Sequence, residues 1–283
     1  MSEFECYAGL LRVNSVFRDD GSDVQIEYRT DADDRPYLKR YGIFEIAGSG
    51  SDLDRAVRLL LWVSSHTVHN GNFDNHIAPT APDLLDYALD GGAAHGINCR
   101  SLAILLTELL LACGIRARTV YLFPMSPYDC DNHVVTECYA ADRGKWVMLD
   151  PTFGLYLSRN GEPMSIAEIR AALADRVRPA VNREAHYNNN NNSNPVDADA
   201  IFSYYAKDFY RFQVLTQQAP GSETAGTATG VNILPEGYDL IASVLANGTY
   251  RGSIPPEQYA EAEQALRNAP IIYKGLQFLY GEE

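Results

Sequence analysis

The feature that most constrains the fold is the apolar segment that runs from Cys99 to Gly114, CRSLAILLTELLLACG. Asn98 is a good N-cap residue, Gly114 is typical of the position just after a helix, and no glycine or proline interrupts the segment. Apolar side chains occur on nearly every side of the predicted helix, so water cannot cover any large part of it. The sequence therefore predicts a helix buried at the centre of the molecule.

Three β-rich runs follow this helix, RARTVYLF, NHVVTECY and KWVMLD, and turn-like residues separate them. Before it, Ser51 is a plausible N-cap for a helix over residues 52–67, and a shorter helix begins near Pro82. Helices first and adjacent strands afterwards are typical of an α+β domain. We expect the buried helix to pack on an antiparallel sheet.

The rest of the chain divides less clearly. Residues 1–50 predict strands and loops, with 24–28 (VQIEY) alternating as a half-buried strand does. Residues 51–155 form the predicted core. Residues 156–283 predict a helical extension with mobile loops, packed on the core as one domain. Its predicted helices cover 164–176, 201–212 and 254–268, and its predicted loops cover 186–199 and 217–230.

Composition excludes several classes of function. The formal net charge of −14 disfavours a broad nucleic-acid surface and binding to anionic lipid. Five cysteines with irregular spacing, and no secretory leader in the first residues, predict neither a disulfide framework nor a metal site. We expect a cytoplasmic protein with no metal or organic cofactor.

Cys99 is the cysteine most suited to chemistry. The first position of a helix offers unpaired backbone N–H groups and the positive end of the helix dipole, and both favour the thiolate. The alternative is a core cysteine that happens to follow a cap, since buried free cysteine is common. Cys113 and Cys138 lie within apolar runs and fit that alternative better.

His133 and Asp150 lie on two strands that a short hairpin would join. If residue i pairs with a residue near 283 − i or 284 − i, His133 falls opposite Asp150 or Pro151. In the first register the side chains share a face and lie close enough to hydrogen-bond, whereas a slip of one residue separates them. Alone, each has a simpler explanation: a surface or core histidine, and a turn-forming aspartate.

Three motifs resemble the transglutaminase-like superfamily, on its papain-like α+β scaffold: GINCRSLAILLTELLLACGIRAR, DNHVVTECY and KWVMLDPTFG, in that order. The resemblance covers roughly residues 52–155. It implies Cys99 as nucleophile, His133 as general base and acid, and Asp150 as the partner of the histidine. Some family members use an upstream tryptophan at the oxyanion, which makes Trp62 a tentative candidate, although its apolar helical surroundings favour a core role.

The chemistry that these residues imply is acyl transfer from an amide through a thioester. The backbone N–H of Cys99 is the first candidate donor to the oxyanion, and the neighbouring Asn98 is a further candidate for binding the oxyanion or the substrate. Hydrolysis, as in a peptidase or amidase, is favoured slightly over transamidation because water is always available. The substrate would be a peptide, a protein or a small amide.

Two alternatives stay open. The first is a non-catalytic binding module for peptides or proteins that keeps the scaffold, whose expected mark is the loss of a triad member. In the second, the tyrosine-rich region after residue 156 is the functional part and docks a protein partner.

Overall fold

The computed structural model describes residues 2–30, 35–188, 195–224, 228–248 and 252–280. Its helices are α1 (Glu3–Val13), α2 (Pro36–Arg40), α3 (Ile43–Ala47), α4 (Asp52–His66), α5 (Ala81–Asp90), α6 (Cys99–Ala112), α7 (Ile166–Ala174), α8 (Ala198–Asp208), α9 (Leu240–Ala246) and α10 (Tyr259–Asn268). Its strands are β1 (Glu27–Tyr28), β2 (Ala117–Phe123), β3 (His133–Ala140), β4 (Lys145–Leu149), β5 (Leu157–Arg159), β6 (Glu162–Pro163), β7 (Ala180–Val181), β8 (Arg211–Leu215), β9 (Gln217–Gln218), β10 (Gly230–Ile233) and β11 (Ile272–Tyr273).

The central element is a six-stranded sheet in the order β11-β10-β8-β2-β3-β4. Neighbouring strands are antiparallel except β10 and β11, which are parallel, so the sheet is mixed rather than purely antiparallel. The sequence prediction of three antiparallel strands after the buried helix is confirmed.

Helices cover both faces of this sheet. Helix α6, buried throughout residues 101–112, packs with α4 and α5 on one face, while α1, α7 and α8 cover the other. Alternation along β4 shows the arrangement, because Val147 and Leu149 join the first core and Met148 joins the second. The α+β prediction, with the cysteine helix packed on the sheet, is confirmed.

The prediction of strands and loops over residues 1–50 is wrong in its main element. Residues 3–13 form helix α1, which begins at a capping box between Ser2 and Glu5 and buries Phe4, Ala8 and Leu11. The predicted strand over 24–28 shrinks to β1, which pairs with β9 in parallel rather than with a local partner.

The description of residues 156–283 as a helical extension is also corrected. Helices α7 and α10 form where expected, but β8, β10 and β11 continue the central sheet beyond β2. The aromatic segment 201–212 was predicted as one helix; α8 instead ends at Asp208 and β8 begins at Arg211. Phe212 and Val214 alternate in β8 with less buried residues, which is the period of a strand.

Parts of the predicted loops over 186–199 and 217–230, namely residues 189–194 and 225–227, lie outside the described residues. Among the described helices, none combines the length and apolar character that crossing a bilayer requires.

Candidate active site

Cys99 occupies the first position of α6. The Asn98 side chain caps the helix by accepting a hydrogen bond from the Ser101 N–H at 3.0 Å. The cysteine is partly exposed and lines a cleft of about 460 Å³. Its own N–H belongs to the first turn and has no acceptor within the helix. Local capping therefore places a thiol and a free backbone donor at the edge of a cleft.

His133 and Asp150 form a buried pair. The imidazole Nε2 lies 2.6 Å from Asp150 Oδ2, and both side chains are almost completely excluded from solvent. Asp150 also accepts hydrogen bonds from the hydroxyl of Tyr205 at 2.6 Å and the N–H of Thr152 at 2.9 Å. Three donors thus hold one buried carboxylate, and the Nδ1 atom of His133 is left for another partner.

Neither predicted hairpin register forms, and the observed one differs by two residues from the register that pairs His133 with Asp150, yet their contact forms. Ala140 pairs with Lys145 around a four-residue loop, and Thr136 pairs with Leu149, so paired numbers sum to 285. His133 therefore lies diagonally across from Asp150. Since side chains alternate with a period of two, a shift of two leaves both on one face.

The thiol of Cys99 is electrostatically coupled to His133. Burial by itself raises the pKa of the thiol, but hydrogen bonds and positive charge from His133 and His69 lower that pKa to about 6. Burial likewise opposes the charged imidazole, yet Asp150 and Cys99 raise the pKa of His133 well above its ordinary value. The favoured state at neutral pH is a thiolate beside an imidazolium.

His69 also belongs to the site, although the sequence did not single it out as a candidate. The 68–70 segment runs parallel to Ile97, with hydrogen bonds in both directions, and this carries His69 to the cysteine. The approach is close: a Cβ on Gly96 would lie 2.8 Å from the Asn70 Cβ. The His69 Nδ1 contacts the Tyr187 hydroxyl at 3.0 Å.

Aromatic side chains surround the imidazole of His133. Tyr204 meets it edge to face at a centroid distance of 5.3 Å, and Phe153 lies 5.9 Å away. Tyr204 also lines the cleft. Residues from α8 therefore shield the His133–Asp150 pair from water. No local sequence pattern predicts this contact, since Tyr204 and Tyr205 lie in a region outside the recognised motifs.

Asn98 and Trp62, the two further candidates for binding the oxyanion or the substrate, differ in their placement. Asn98 lines the cleft, but its amide is already engaged, donating to Asn75 Oδ1 at 3.0 Å. Trp62 is not among the described residues that line the cleft; it stacks on His66 at 5.1 Å and packs against the core. Its position in an apolar helical run explains this outcome. Trp62 is therefore not an oxyanion donor in this structure.

Within the described parts of the chain, no three histidine, cysteine or acidic side chains gather as metal ligands would. The arrangement can instead supply a nucleophilic thiolate, a proton carrier and a carboxylate that orients the carrier.

Known proteins show where the similarity lies. Residues 43–151 match the family model of the transglutaminase-like superfamily. No curated protein is significantly similar to the chain in sequence. Two solved structures are similar to the chain at low identity. A proposed cysteine protease from Cytophaga hutchinsonii is 19% identical, with a TM-score of 0.34, over 45% of this chain and 39% of that one. A proposed protease from Parabacteroides distasonis is 15% identical, with a TM-score of 0.31, over 52% and 26%.

This chain spans less than half the length of either structure, and both TM-scores are too low to support an argument. The family match covers the segment that contains Cys99, His133 and Asp150, and at that level it supports a cysteine-dependent enzyme. Residues 43–151 are therefore similar to the core of the transglutaminase-like superfamily.

Proposed function

We propose that the protein is a cysteine-dependent acyl-transfer enzyme with Cys99, His133 and Asp150 as its catalytic triad. One observation carries the proposal: a partly exposed thiol at a helix start has its pKa lowered to about 6 by an imidazole that a fully buried carboxylate holds. Perturbed, coupled groups of this kind in a cleft are typical of active sites.

The first half of the reaction forms a thioester. The Cys99 sulfur attacks the carbonyl carbon of an amide, and the carbonyl electrons move onto the oxygen to give a tetrahedral oxyanion. Imidazolium His133 gives its proton to the leaving nitrogen as the C–N bond breaks. Asp150 stabilises the charged imidazole before the transfer and fixes its orientation.

The second half releases the acyl group. Neutral His133 takes a proton from water or an amine, which attacks the thioester carbon and expels the Cys99 thiolate. The Cys99 N–H is the candidate donor to both oxyanions, because backbone donors at a helix start are already oriented. We favour hydrolysis of a peptide, protein or small amide over transamidation, since water is always available. A cytoplasmic location stays a prediction from the sequence.

Intact-mass measurement tests this proposal. The protein is incubated with a mixed set of peptide amides and activated acyl amides, with and without an added amine, and quenched in acid. We expect an acyl adduct on Cys99 that water or the amine discharges, and none in Cys99→Ala. Asp150→Asn should slow turnover by a factor on the order of 10², less than in serine triads because the ion pair already exists.

Two results would count against the mechanism. An acyl adduct on another cysteine would assign the nucleophile elsewhere. Tight peptide binding that Cys99→Ala leaves intact, with no adduct in the wild type, would favour the binding-module alternative.

A further inference from the structure

A second cavity adjoins the Cys99 cleft and shares part of its wall. Its volume is about 390 Å³, and it lies between the sheet and helices α9 and α10. Phe123, Asn132 and Gln213 line both spaces. The two therefore form one continuous groove that begins at the thiol and ends over the first residues of β8.

Arg211 lies in this second cavity without a described carboxylate beside it. Its guanidinium carbon is 4.1 Å from the centroid of the Phe123 ring and 5.5 Å from that of Tyr238. Its Nε is buried and has no hydrogen-bond partner among the described residues. Burial lowers the pKa of the guanidinium, while the charge of Tyr238 and a side-chain hydrogen bond with it oppose the shift; an arginine remains charged, and a tyrosine hydroxyl is no counter-charge at neutral pH.

Three other buried or half-buried arginines, Arg100, Arg118 and Arg170, donate to acceptors within the described structure. The partners are Glu223 for Arg100 at 2.8 Å, Glu137 for Arg118 at 2.8 Å, and the carbonyl oxygens of Phe209 and Asn14 for Arg170 at 3.0 and 2.8 Å. No described carboxylate lies within ion-pair distance of Arg211. A desolvated cation without such a partner is costly, and an anion from outside the chain would remove the cost.

Among the described residues that line the cavity, one acidic side chain could pair with the Arg211 guanidinium in place of an external anion. Asp129 lines it, but Lys207 lies 3.3 Å from its carboxylate. Arg211 is the one cationic side chain among the described residues that line the cavity. Phosphate sites usually gather several donors, whereas a single planar guanidinium matches a carboxylate through two parallel hydrogen bonds.

We propose that Arg211 binds a carboxylate of the substrate, one to two residues of extended chain away from the acyl group that Cys99 attacks. The spacing is argued from β8: Gln213 borders the Cys99 cleft, and Arg211 lies on the same face of the strand, two residues and about 7 Å beyond it. The inference rests on the proposed role of Cys99 and narrows its substrates to acidic amides or peptides.

Thiol-reactive probes test the subsite without knowledge of the substrate. We compare 3-maleimidopropionic acid and 6-maleimidohexanoic acid with their primary amides, and measure the rate of adduct formation on Cys99 by peptide mapping. For at least one chain length the acid should react about tenfold faster than its amide, as one charge-assisted hydrogen-bonded pair allows. Raising the salt concentration should reduce the ratio.

Variants test whether Arg211 causes the faster reaction of the acid probes compared with their amides. In Arg211→Gln the ratio should fall to one or below, because the net charge of −14 repels anions. Arg211→Lys should retain part of it. Arg116→Gln is the matched control, since Arg116 also lies over a tyrosine ring, that of Tyr139, but outside the groove, and the ratio should persist. An unchanged rate with the amide probes shows that each variant is folded.

The outcomes separate this inference from the proposed function. Fast labelling of Cys99 with equal rates for acid and amide would overturn the carboxylate subsite and leave the triad in place. Failure of Cys99 to react ahead of the exposed Cys6 and Cys130 would overturn the triad itself.

Discussion

At the scale of single residues, the five cysteines should differ sharply in reactivity. The pKa of Cys99 is lowered to about 6, whereas burial raises the pKa of Cys113 and of Cys138. With limiting iodoacetamide at neutral pH, we expect Cys99 to be alkylated first, because the thiolate is the reactive form. Peptide mapping over a time course measures the order. A consistently faster Cys130, which lines the same cleft, would remove the special status of Cys99.

His69 should lower the pKa of the Cys99 thiol without being essential for its reactivity. Its hydrogen bond and charge lower the pKa of Cys99, less strongly than those of His133. We therefore expect His69→Gln to move the midpoint of the Cys99 alkylation rate to higher pH. The shift should be smaller than in His133→Ala. His76→Gln, on an exposed histidine paired with Asp74, is the control and should change nothing. Equal midpoints in wild type and His69→Gln would exclude the coupling.

Tyr205 should contribute stability through Asp150. Its hydroxyl donates to a fully buried carboxylate, and Tyr205→Phe leaves that oxygen one donor short. We expect a loss of about 1–3 kcal/mol in the free energy of unfolding, measured by denaturant titration. Tyr128→Phe, at a tyrosine with 79% of its surface exposed, should be neutral. Equal losses in both variants would mean that the hydrogen bond carries no stability.

The sequence predicted part of this site and left part of it undetected. Cys99, His133 and Asp150 were recognisable because helix capping and strand alternation act over short distances. His69 and Tyr187 meet across more than a hundred residues, so no local pattern indicates their contact. The hairpin is an intermediate case. Its register differs by two residues from the one that pairs His133 with Asp150. Side chains on a strand alternate with a period of two, so this shift leaves both residues on one face and their contact still forms.

At the scale of elements, the close approach of two backbones should depend on Gly96. A Cβ there would lie 2.8 Å from the Asn70 Cβ and 3.2 Å from the Val68 oxygen, so Gly96→Ala must displace the segment that carries His69. We expect about 1–3 kcal/mol of destabilisation, and a rise in the pH midpoint of Cys99 alkylation.

Gly9→Ala is the matched control. Gly9 lies inside α1 with nothing within 4 Å of its added Cβ, so alanine should stabilise by about 0.5–1 kcal/mol. Chemical denaturation of both variants measures the contrast. A Gly96→Ala protein as stable as the wild type, with an unshifted midpoint, would show that the segment adapts freely.

Elements were predictable where one pattern dominated. Helix α6 and strands β2 to β4 have long apolar runs bounded by clear turn residues. Strand β8 follows α8 after only two residues, and the aromatic residues on either side hid the change from helical to strand spacing. Helix α1 begins at a capping box between Ser2 and Glu5, a local signal that the prediction of strands and loops over residues 1–50 did not include.

At the scale of the whole molecule, a buried carboxyl should make stability fall as pH rises. Asp208 is fully buried, its oxygens have no hydrogen-bond partner among the described residues, and burial raises its pKa to about 8. In the unfolded chain its pKa is about 3.9. Between these values the unfolded state has lost the proton that the folded state keeps, so the free energy of unfolding decreases with pH.

Asp208→Asn should remove this contribution. The variant should gain stability over the wild type as pH rises from 5 to 8, by on the order of 1 kcal/mol or more. Glu108, whose pKa burial raises to about 7, acts with the same sign in both proteins and cancels in the difference. Denaturant titrations at several pH values measure it. Parallel profiles would show that Asp208 ionises normally in the folded protein.

The C-terminal region completes both the sheet and the site. Strands β8, β10 and β11 form half of the central sheet, and α8 supplies Tyr204 and Tyr205 around His133. Sequence similarity ends near residue 151, so this part could not be inferred from the family. The domain limits of 51–155 stay a prediction, since side chains from all three segments share one hydrophobic core.

The coupling of Cys99 to His133 is the central claim, and the pH dependence of Cys99 alkylation tests it most directly. Wild-type rates should rise with a midpoint near pH 6. In His133→Ala the midpoint should move to about 8.5 or above, because burial then acts without the imidazolium. Asp150→Asn should give an intermediate midpoint, since the imidazole loses its counter-charge. Superimposable profiles for the three proteins would contradict the account.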